Sequence, residues 1–174
     1  LVSLHREENI DTENNLKQII YLLNQLASKY KLPIYVSTHP RLKSRLDNLN
    51  DSLDQLVNFS KPFGFYDYLK LQTSAKAILS DSGTITEESS ILSFPALNLR
   101  ESHERPEGME ETPVIMTGLN FKRIVQALDI LNTQKNNNEE IKIVKDYASK
   151  NVSTKVVRIV QSYFEYININ VWKK

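Results

Sequence analysis

The amino-acid sequence predicts an α/β fold with an open, doubly wound parallel sheet. Short apolar runs suited to buried strands alternate with longer segments whose apolar residues recur at helical spacing, and polar turns follow the runs. Elements that alternate in this way form parallel strand pairs joined by right-handed crossovers. A chain of 174 residues is long enough to bury a full core in one such domain.

Three strands are predicted in the first half of the chain, at residues 1–4, 34–37 and 56–59. A long amphipathic helix separates the first two, with an apolar stripe formed by Leu16, Ile19, Ile20, Leu23 and Leu26. A more polar helix carrying Leu42, Leu46 and Leu49 separates the second and third strands. An aromatic loop at 62–67 then leads into a short helix at 68–74.

The second half supplies three more strands, at residues 77–79, 95–99 and 114–116. A helix that begins near Gly83 follows the first of them, a charged loop follows the second, and a helix at 121–131 follows the third. The polar segment 132–140 reads as a linker, and a last helix is predicted at about 153–166. We therefore expect one domain over residues 1–133, followed by a linker and helical tail over residues 134–174.

Composition excludes several classes of function. The formal net charge is only +1, so no strong positive field exists to hold a nucleic acid. No apolar run approaches the roughly 20 residues that span a bilayer, and no signal peptide is visible. There is no cysteine for disulfide or thiolate chemistry, and the three histidines are too scattered to favour a zinc site. We expect a cytoplasmic protein that binds neither nucleic acid nor membrane.

The stretch from residue 77 to residue 88 is the strongest candidate binding site. A strand that passes through small residues into a helix can hold phosphate, because the first helical N–H groups lack intrahelical acceptors. Ser82 and Thr84 can add hydroxyl donors, and Gly83 lets the backbone approach an anion. Glu88 lies roughly 7 Å further along the helix, at about 1.5 Å per residue, where it can accept both hydroxyls of a ribose.

Two interpretations of this stretch stay open on the residues alone. Thr84 and Glu87 also fit a capping box, in which they satisfy the N–H groups of their own helix. The parallel topology favours the nucleotide site, because polar turns after the strands then share one edge of the sheet. Those turns contain His5 and Arg6, His39, Phe63 and Gly64, Ser82 and Gly83, and Glu104 and Arg105.

Several residues of this edge have a structural alternative to a binding role. His5 either bonds the loop backbone or contacts a diphosphate and transfers a proton. For His39, the favoured interpretation is a structural role in its loop. The aromatic cluster at 63–68 either packs within its loop or offers a face to a base. Arg105 either pairs with phosphate or forms a salt bridge with a glutamate at 104 or 107.

Three motifs together resemble the non-hydrolysing UDP-N-acetylglucosamine 2-epimerase family: HREEN at residues 5–9, DSGTITEE at 81–88 and ERPE at 104–107. The resemblance covers nearly the whole chain, as the C-terminal half of that family. It implies a Rossmann-like doubly wound parallel sheet, one half of a GT-B-type two-domain enzyme with its active site between the domains. Residues 1–133 then form the UDP-binding domain, and the tail packs on this domain or on the missing N-terminal domain.

The resemblance also implies roles for individual residues. His5 is expected to act in catalysis at the diphosphate, and Glu88 to bind the ribose hydroxyls. The other implied contacts to UDP are Phe63 and Tyr68 at the uracil or ribose, Ser82, Gly83 and Thr84 at the diphosphate, and Arg6 and Arg105 in the substrate site. One departure is notable: the family usually has Ser-Gly-Gly where this chain has a threonine at position 84.

The reaction that the resemblance implies is inversion at C2 of a UDP-2-acetamido sugar, by elimination of UDP to a 2-acetamidoglycal and re-addition. It requires no metal or redox cofactor. The carboxylates that handle the C2 proton belong to the family's N-terminal domain, so we expect this chain alone to bind UDP weakly without turnover. The expected partners are the UDP-sugar, that N-terminal domain and a second subunit of a homodimer. Residues 5–9 and 151–160 look closer to the branch that forms UDP-N-acetyl-L-fucosamine for capsule or O-antigen.

Three other functions remain as alternatives. A glycosyltransferase C-terminal domain of the GT-B type would bind the same nucleotide but need an acceptor. A non-catalytic nucleotide-sugar-binding module would bind without turnover, although a histidine at position 5 speaks against it. A protein-interaction domain would give no heat on titration with UDP.

Overall fold

The computed structural model describes residues 1–4, 13–38, 52–102, 105–136 and 143–174. Within them, six strands form a sheet in which every adjacent pair is parallel. The strands are β1 (Val2–Leu4), β2 (Ile34–Thr38), β3 (Val57–Ser60), β4 (Ile78–Ser80), β5 (Ala96–Asn98) and β6 (Val114–Met116). Their order, β3-β2-β1-β4-β5-β6, runs outward in two directions from the β1–β4 pair. The predicted doubly wound parallel sheet is confirmed.

The described residues form five helices. They are α1 (Glu13–Tyr30), α2 (Phe65–Ser74), α3 (Ile85–Leu92), α4 (Phe121–Asn136) and α5 (Val152–Asn170), with a 3₁₀ turn at Pro106–Gly108. Successive strand residues point to opposite faces, and the core divides accordingly. Leu79 joins the cluster that contains the buried stripes of α1 and α4, whereas Ile78 joins Ile85 of α3 in a second cluster.

Helix bounds differ from the prediction at the start of α2 and at the ends of α4 and α5. Helix α2 begins at Phe65, so the segment predicted as a loop up to residue 67 already contains its first turn. Phe65 and Tyr66 are 71% and 83% exposed, so these two aromatic residues do not belong to the buried face whose spacing indicates a helix in sequence. Helix α4 continues to Asn136, into the segment predicted as a linker. The helix predicted to carry Leu42, Leu46 and Leu49 lies outside the described residues.

The described chain separates into two compact units, Leu1–Val144 and Lys145–Lys174. The first contains the sheet and both clusters of the core. The second consists largely of α5, and none of the residues of that helix is buried. The roles assigned above to residues 1–133 and 134–174 stay predictions. None of the described helices combines the length and the apolar character that a bilayer crossing requires.

Candidate functional site

The segment between β4 and α3 occupies the switch point of the sheet. β1 and β4 are neighbours, but the chain continues from β1 to β2 on one side of the pair and from β4 to β5 on the other. Open α/β sheets bind ligands in the crevice outside the carboxyl ends of two such strands. β4 ends at Ser80, and α3 begins at Ile85. The connection is therefore short, and it delivers the amino end of α3 directly to this crevice.

Hydroxyl groups fix the conformation of this connection. The Ser82 N–H donates to Ser80 Oγ at 3.1 Å, and the Thr84 N–H donates to Ser82 Oγ at 3.3 Å. The hydroxyl oxygens of Ser82 and Thr84 are themselves 3.0 Å apart, within hydrogen-bonding distance. Asp81 is fully buried beneath them, and its N–H donates to the Ser3 carbonyl of β1 at 3.3 Å. The turn is thus anchored to both central strands.

The amino end of α3 is not closed by the capping box that the sequence allowed. Thr84 occupies the N-cap position, but its side chain makes no capping hydrogen bond. The first intrahelical bond runs from the Glu88 N–H to the Thr84 carbonyl at 2.9 Å, so the N–H groups of Ile85, Thr86 and Glu87 have no acceptor within the helix. These groups and the helix macrodipole make this end locally positive.

Glu88 is held at the site by two hydrogen bonds, one to each carboxylate oxygen. Thr84 Oγ1 donates to Glu88 Oε1 at 2.6 Å, and Gln72 Nε2 donates to Glu88 Oε2 at 2.6 Å. Gln72 belongs to α2 and is completely buried. Sequence reasoning missed Gln72, because a single glutamine in a short amphipathic helix carries no motif. Its contact joins two helices that are separate in sequence.

Tyr68 extends the same cluster toward the central strand. Burial raises the pKa of its hydroxyl, and the nearby carboxylates of Glu88 and Asp81 raise it further. Hydrogen bonds with the side chains of Ser3 and Gln72 act in the opposite direction. Tyr68 is therefore a neutral phenol at neutral pH, and it connects α2 with β1.

Arg105 reaches α3 through a carboxylate that the sequence did not single out as its partner. Its Nε donates to Glu87 Oε1, and the two side chains are 29% and 27% exposed. Arg105 immediately precedes the 3₁₀ turn Pro106–Gly108 in the loop after β5. The contact fixes that loop against the first turn of α3.

The structure brings together five of the predicted site residues. Tyr68, Ser82, Thr84 and Glu88 are linked by the contacts above, and Arg105 is joined to the same helix. Gly83 lies within the turn and Phe63 precedes α2, both partly exposed. The other two predicted residues, His5 and Arg6, lie outside the described part of the chain, as do His39 and Glu104. The described residues contain no group of three or more acidic or histidine side chains placed to hold a metal ion.

This architecture defines a class of protein: a Rossmann-like α/β domain with a helix amino end and a fixed carboxylate at its switch point. Comparison with known proteins narrows the class to a family. The family model described as UDP-N-acetylglucosamine 2-epimerase matches residues 1–161, and the chain belongs to that family. The family predicted from the three motifs is confirmed, whereas the fucosamine branch stays a prediction.

Individual relatives agree with the assignment. The UDP-N-acetylglucosamine 2-epimerase of Methanocaldococcus jannaschii is 37% identical over 141 residues, which are 79% of this chain and 38% of that protein. The structure of UDP-N-acetylglucosamine 2-epimerase from Rickettsia bellii superposes with a TM-score of 0.82 at 44% identity, covering 99% of this chain and 46% of that one. The crystal structure of the M. jannaschii enzyme in complex with UDP-GlcNAc and UDP has a TM-score of 0.77 at 30% identity, covering 92% and 44%. The chain thus spans less than half the length of these relatives.

Proposed function

We propose that this chain is the UDP-binding half of an enzyme that inverts C2 of a UDP-2-acetamido sugar. The observation that carries the proposal is the Glu88 carboxylate, held by Thr84 and Gln72 one turn inside a helix whose amino end lies at the switch point of the sheet. Family membership and the M. jannaschii complex with UDP-GlcNAc and UDP support it.

In this proposal the nucleotide lies across the amino end of α3. The diphosphate accepts from the first-turn N–H groups and from the Ser82 hydroxyl, with Gly83 leaving the backbone accessible. Thr84 borders the diphosphate, but the one proton of its hydroxyl is donated to Glu88. The ribose hydroxyls donate to Glu88. A carboxylate has about four lone-pair sites, and the two contacts described leave room for two more. The uracil lies toward Phe63 and Tyr68.

The reaction proceeds by elimination and re-addition. A base removes the C2 proton, the electrons form a C1–C2 double bond, and the C1–O bond breaks so that UDP departs with its electron pair. The same UDP then adds back to C1 while a proton returns to the opposite face of C2. The positive helix end and Arg105 stabilise the negative charge that develops on the leaving diphosphate. We assign the proton chemistry at the diphosphate to His5.

The remaining components are also part of the proposal. The carboxylates that act on the C2 proton come from an N-terminal domain outside this chain, and the whole enzyme is a homodimer in the cytoplasm. It uses UDP-N-acetylhexosamines for capsule, O-antigen or cell-wall precursors. Assay of the full-length protein for C2 inversion without an acceptor, followed by NMR, separates it from a glycosyltransferase, which releases UDP only when an acceptor is added.

The direct test for this chain is calorimetric titration with UDP, comparing the wild type with Glu88→Gln. We expect the variant to lose about tenfold or more in affinity, equivalent to about 1.4 kcal/mol, because the neutral amide accepts at only one of its two terminal atoms and so leaves one ribose hydroxyl without an acceptor.

Glu110→Gln is the matched control, since Glu110 is an exposed glutamate in the loop after β5. Its titration should match the wild type. Equal affinities of all three proteins for UDP, or no heat from any of them, would contradict the proposal.

A further inference from the structure

The two donors to Glu88 suggest how this site selects its nucleotide. We propose that Gln72 and Thr84 are positioning residues that fix the Glu88 carboxylate and thereby make the site prefer ribose over 2′-deoxyribose. This inference rests on the proposed binding of UDP, with the ribose at Glu88.

The contacts restrain both ends of the carboxylate. Thr84 Oγ1 donates to Oε1 from the N-cap of α3, and Gln72 Nε2 donates to Oε2 from α2, each at 2.6 Å. One donor from the same helix and one from a neighbouring helix prevent the side chain from turning about its last two bonds. Such preorganisation removes the loss of side-chain freedom that ligand binding otherwise imposes.

The burial of Gln72 indicates that this contact is more than ordinary packing. Gln72 is completely buried, and its Oε1 has no hydrogen-bond partner within the described chain. A carboxylate only accepts, so the amide nitrogen must face Glu88 and the amide oxygen must point away from it. An unsatisfied buried oxygen lowers folding stability. An apolar residue of similar size would avoid this loss, but it would leave Glu88 without its second donor.

Because the carboxylate of Glu88 is fixed, the absence of the 2′-hydroxyl lowers the affinity for the nucleotide. When 2′-deoxyribose replaces ribose, one lone pair of the carboxylate loses its donor inside the complex. A mobile carboxylate recovers a partner by turning toward water, whereas one clamped by Thr84 and Gln72 cannot. Sites built to hydrogen-bond a substrate hydroxyl reject the analogue that lacks it for this reason.

The test compares the affinity for UDP with that for 2′-deoxy-UDP, measured by calorimetry. The variants are Gln72→Met, which keeps the side-chain length without the donor, and Thr84→Val, which keeps the shape without the hydroxyl. Thr84→Ser restores the hydroxyl. Thr73→Val is the matched control, because Thr73 is exposed on the same helix as Gln72 and bonds only carbonyls of that helix in the contacts described.

We expect the wild type, Thr84→Ser and Thr73→Val to prefer UDP by about tenfold or more, and Gln72→Met and Thr84→Val to prefer it by about threefold or less. A general loss of fold would weaken both ligands equally, so the ratio isolates the positioning role. If Gln72→Met shows no cooperative unfolding transition, the inference is tested by the ratio of the affinities of Thr84→Val for UDP and 2′-deoxy-UDP.

Two results would overturn the inference. One is an unchanged ratio in both donor-deletion variants, and the other is a wild type that binds both nucleotides equally. A wild type that binds neither nucleotide overturns instead the proposed function on which the inference rests, so the two failures are distinguishable.

Discussion

At the scale of single residues, the two adjacent glutamates of α3 make different contacts. Glu87 pairs with Arg105 and fixes the loop after β5, whereas Glu88 points into the cluster with Thr84 and Gln72. Consecutive helical residues are separated by about 100° around the axis, so two neighbouring carboxylates necessarily face different surroundings. The two adjacent glutamates therefore make two separate contacts.

Sequence reasoning selected the residues of the candidate site that belong to a continuous motif. Ser82, Thr84 and Glu88 follow a strand within one stretch, and the requirements of a helix amino end suffice to select them. Gln72 and the pairing of Glu87 with Arg105 could not be found in this way. Each joins elements that are distant in sequence, and such pairings depend on how the elements pack.

Tyr68 leads to a prediction about alkaline pH. Its pKa is raised in the folded protein, chiefly by burial, so the folded state holds the phenolic proton more tightly than the unfolded state does. The resulting stability is complete below the ordinary tyrosine pKa of about 10 and is lost as pH rises above it. The free energy of unfolding, measured by denaturant titration between about pH 9 and pH 11, should fall less steeply in Tyr68→Phe than in the wild type.

The control for this titration is Tyr66→Phe, because Tyr66 is exposed on the same helix. It should keep the slope of the wild type. Identical slopes for Tyr68→Phe and the wild type would show that the buried hydroxyl does not contribute to the pH dependence.

At the scale of elements, the strands were easier to predict than the helices. The predicted sixth strand agrees residue for residue with β6 (Val114–Met116), and the others differ by one residue at one or both ends. Strands of a parallel sheet are buried on both faces, and each therefore appears as a short apolar run between polar turns. α5 was predicted several residues too short at its end, since helix ends lack such a contrast.

The end of α3 offers a test by substitution. Ser93 closes this helix with a left-handed backbone, at φ 55° and ψ 47°, and its N–H donates to the Ser89 carbonyl at 2.8 Å. Glycine adopts this conformation without the steric cost that a Cβ brings. Ser93→Gly should therefore raise the free energy of unfolding by about 0.5–1 kcal/mol in denaturant titration.

Ser74→Gly provides the matched comparison, because Ser74 is an exposed residue within the last turn of α2. Here glycine only adds freedom to the unfolded chain, and the free energy of unfolding should fall by about 0.5–1 kcal/mol. The same sign of change in both variants would contradict the assignment of a left-handed cap at Ser93.

At the scale of the whole molecule, the chain consists of a sheet domain and a separate helical unit. Residues Leu1–Val144 contain both core clusters, whereas α5 buries no residue and exposes large apolar side chains along its length. These side chains are Val152, Val156, Val157, Ile159, Val160, Tyr163, Phe164, Tyr166 and Ile169. A helix with this much exposed apolar surface favours self-association.

Removal of residues 145–174 should therefore leave the sheet domain intact. We expect the shortened chain to unfold in one cooperative transition and to bind UDP within about twofold of the full 174 residues, because its core is complete. Light scattering should show a larger monomer fraction. A shortened chain that loses its cooperative transition would contradict the independence of the first unit.

The position of β1 has a consequence for biosynthesis. β1 lies between β2 and β4, although both of these partners follow it in the chain. A ribosome therefore releases this apolar strand with both of its edges bare, and the second edge stays bare until residue 80 has emerged. Bare strand edges pair readily with other chains. During synthesis, β1 therefore exposes both of its edges for longer than a strand at the border of this sheet would.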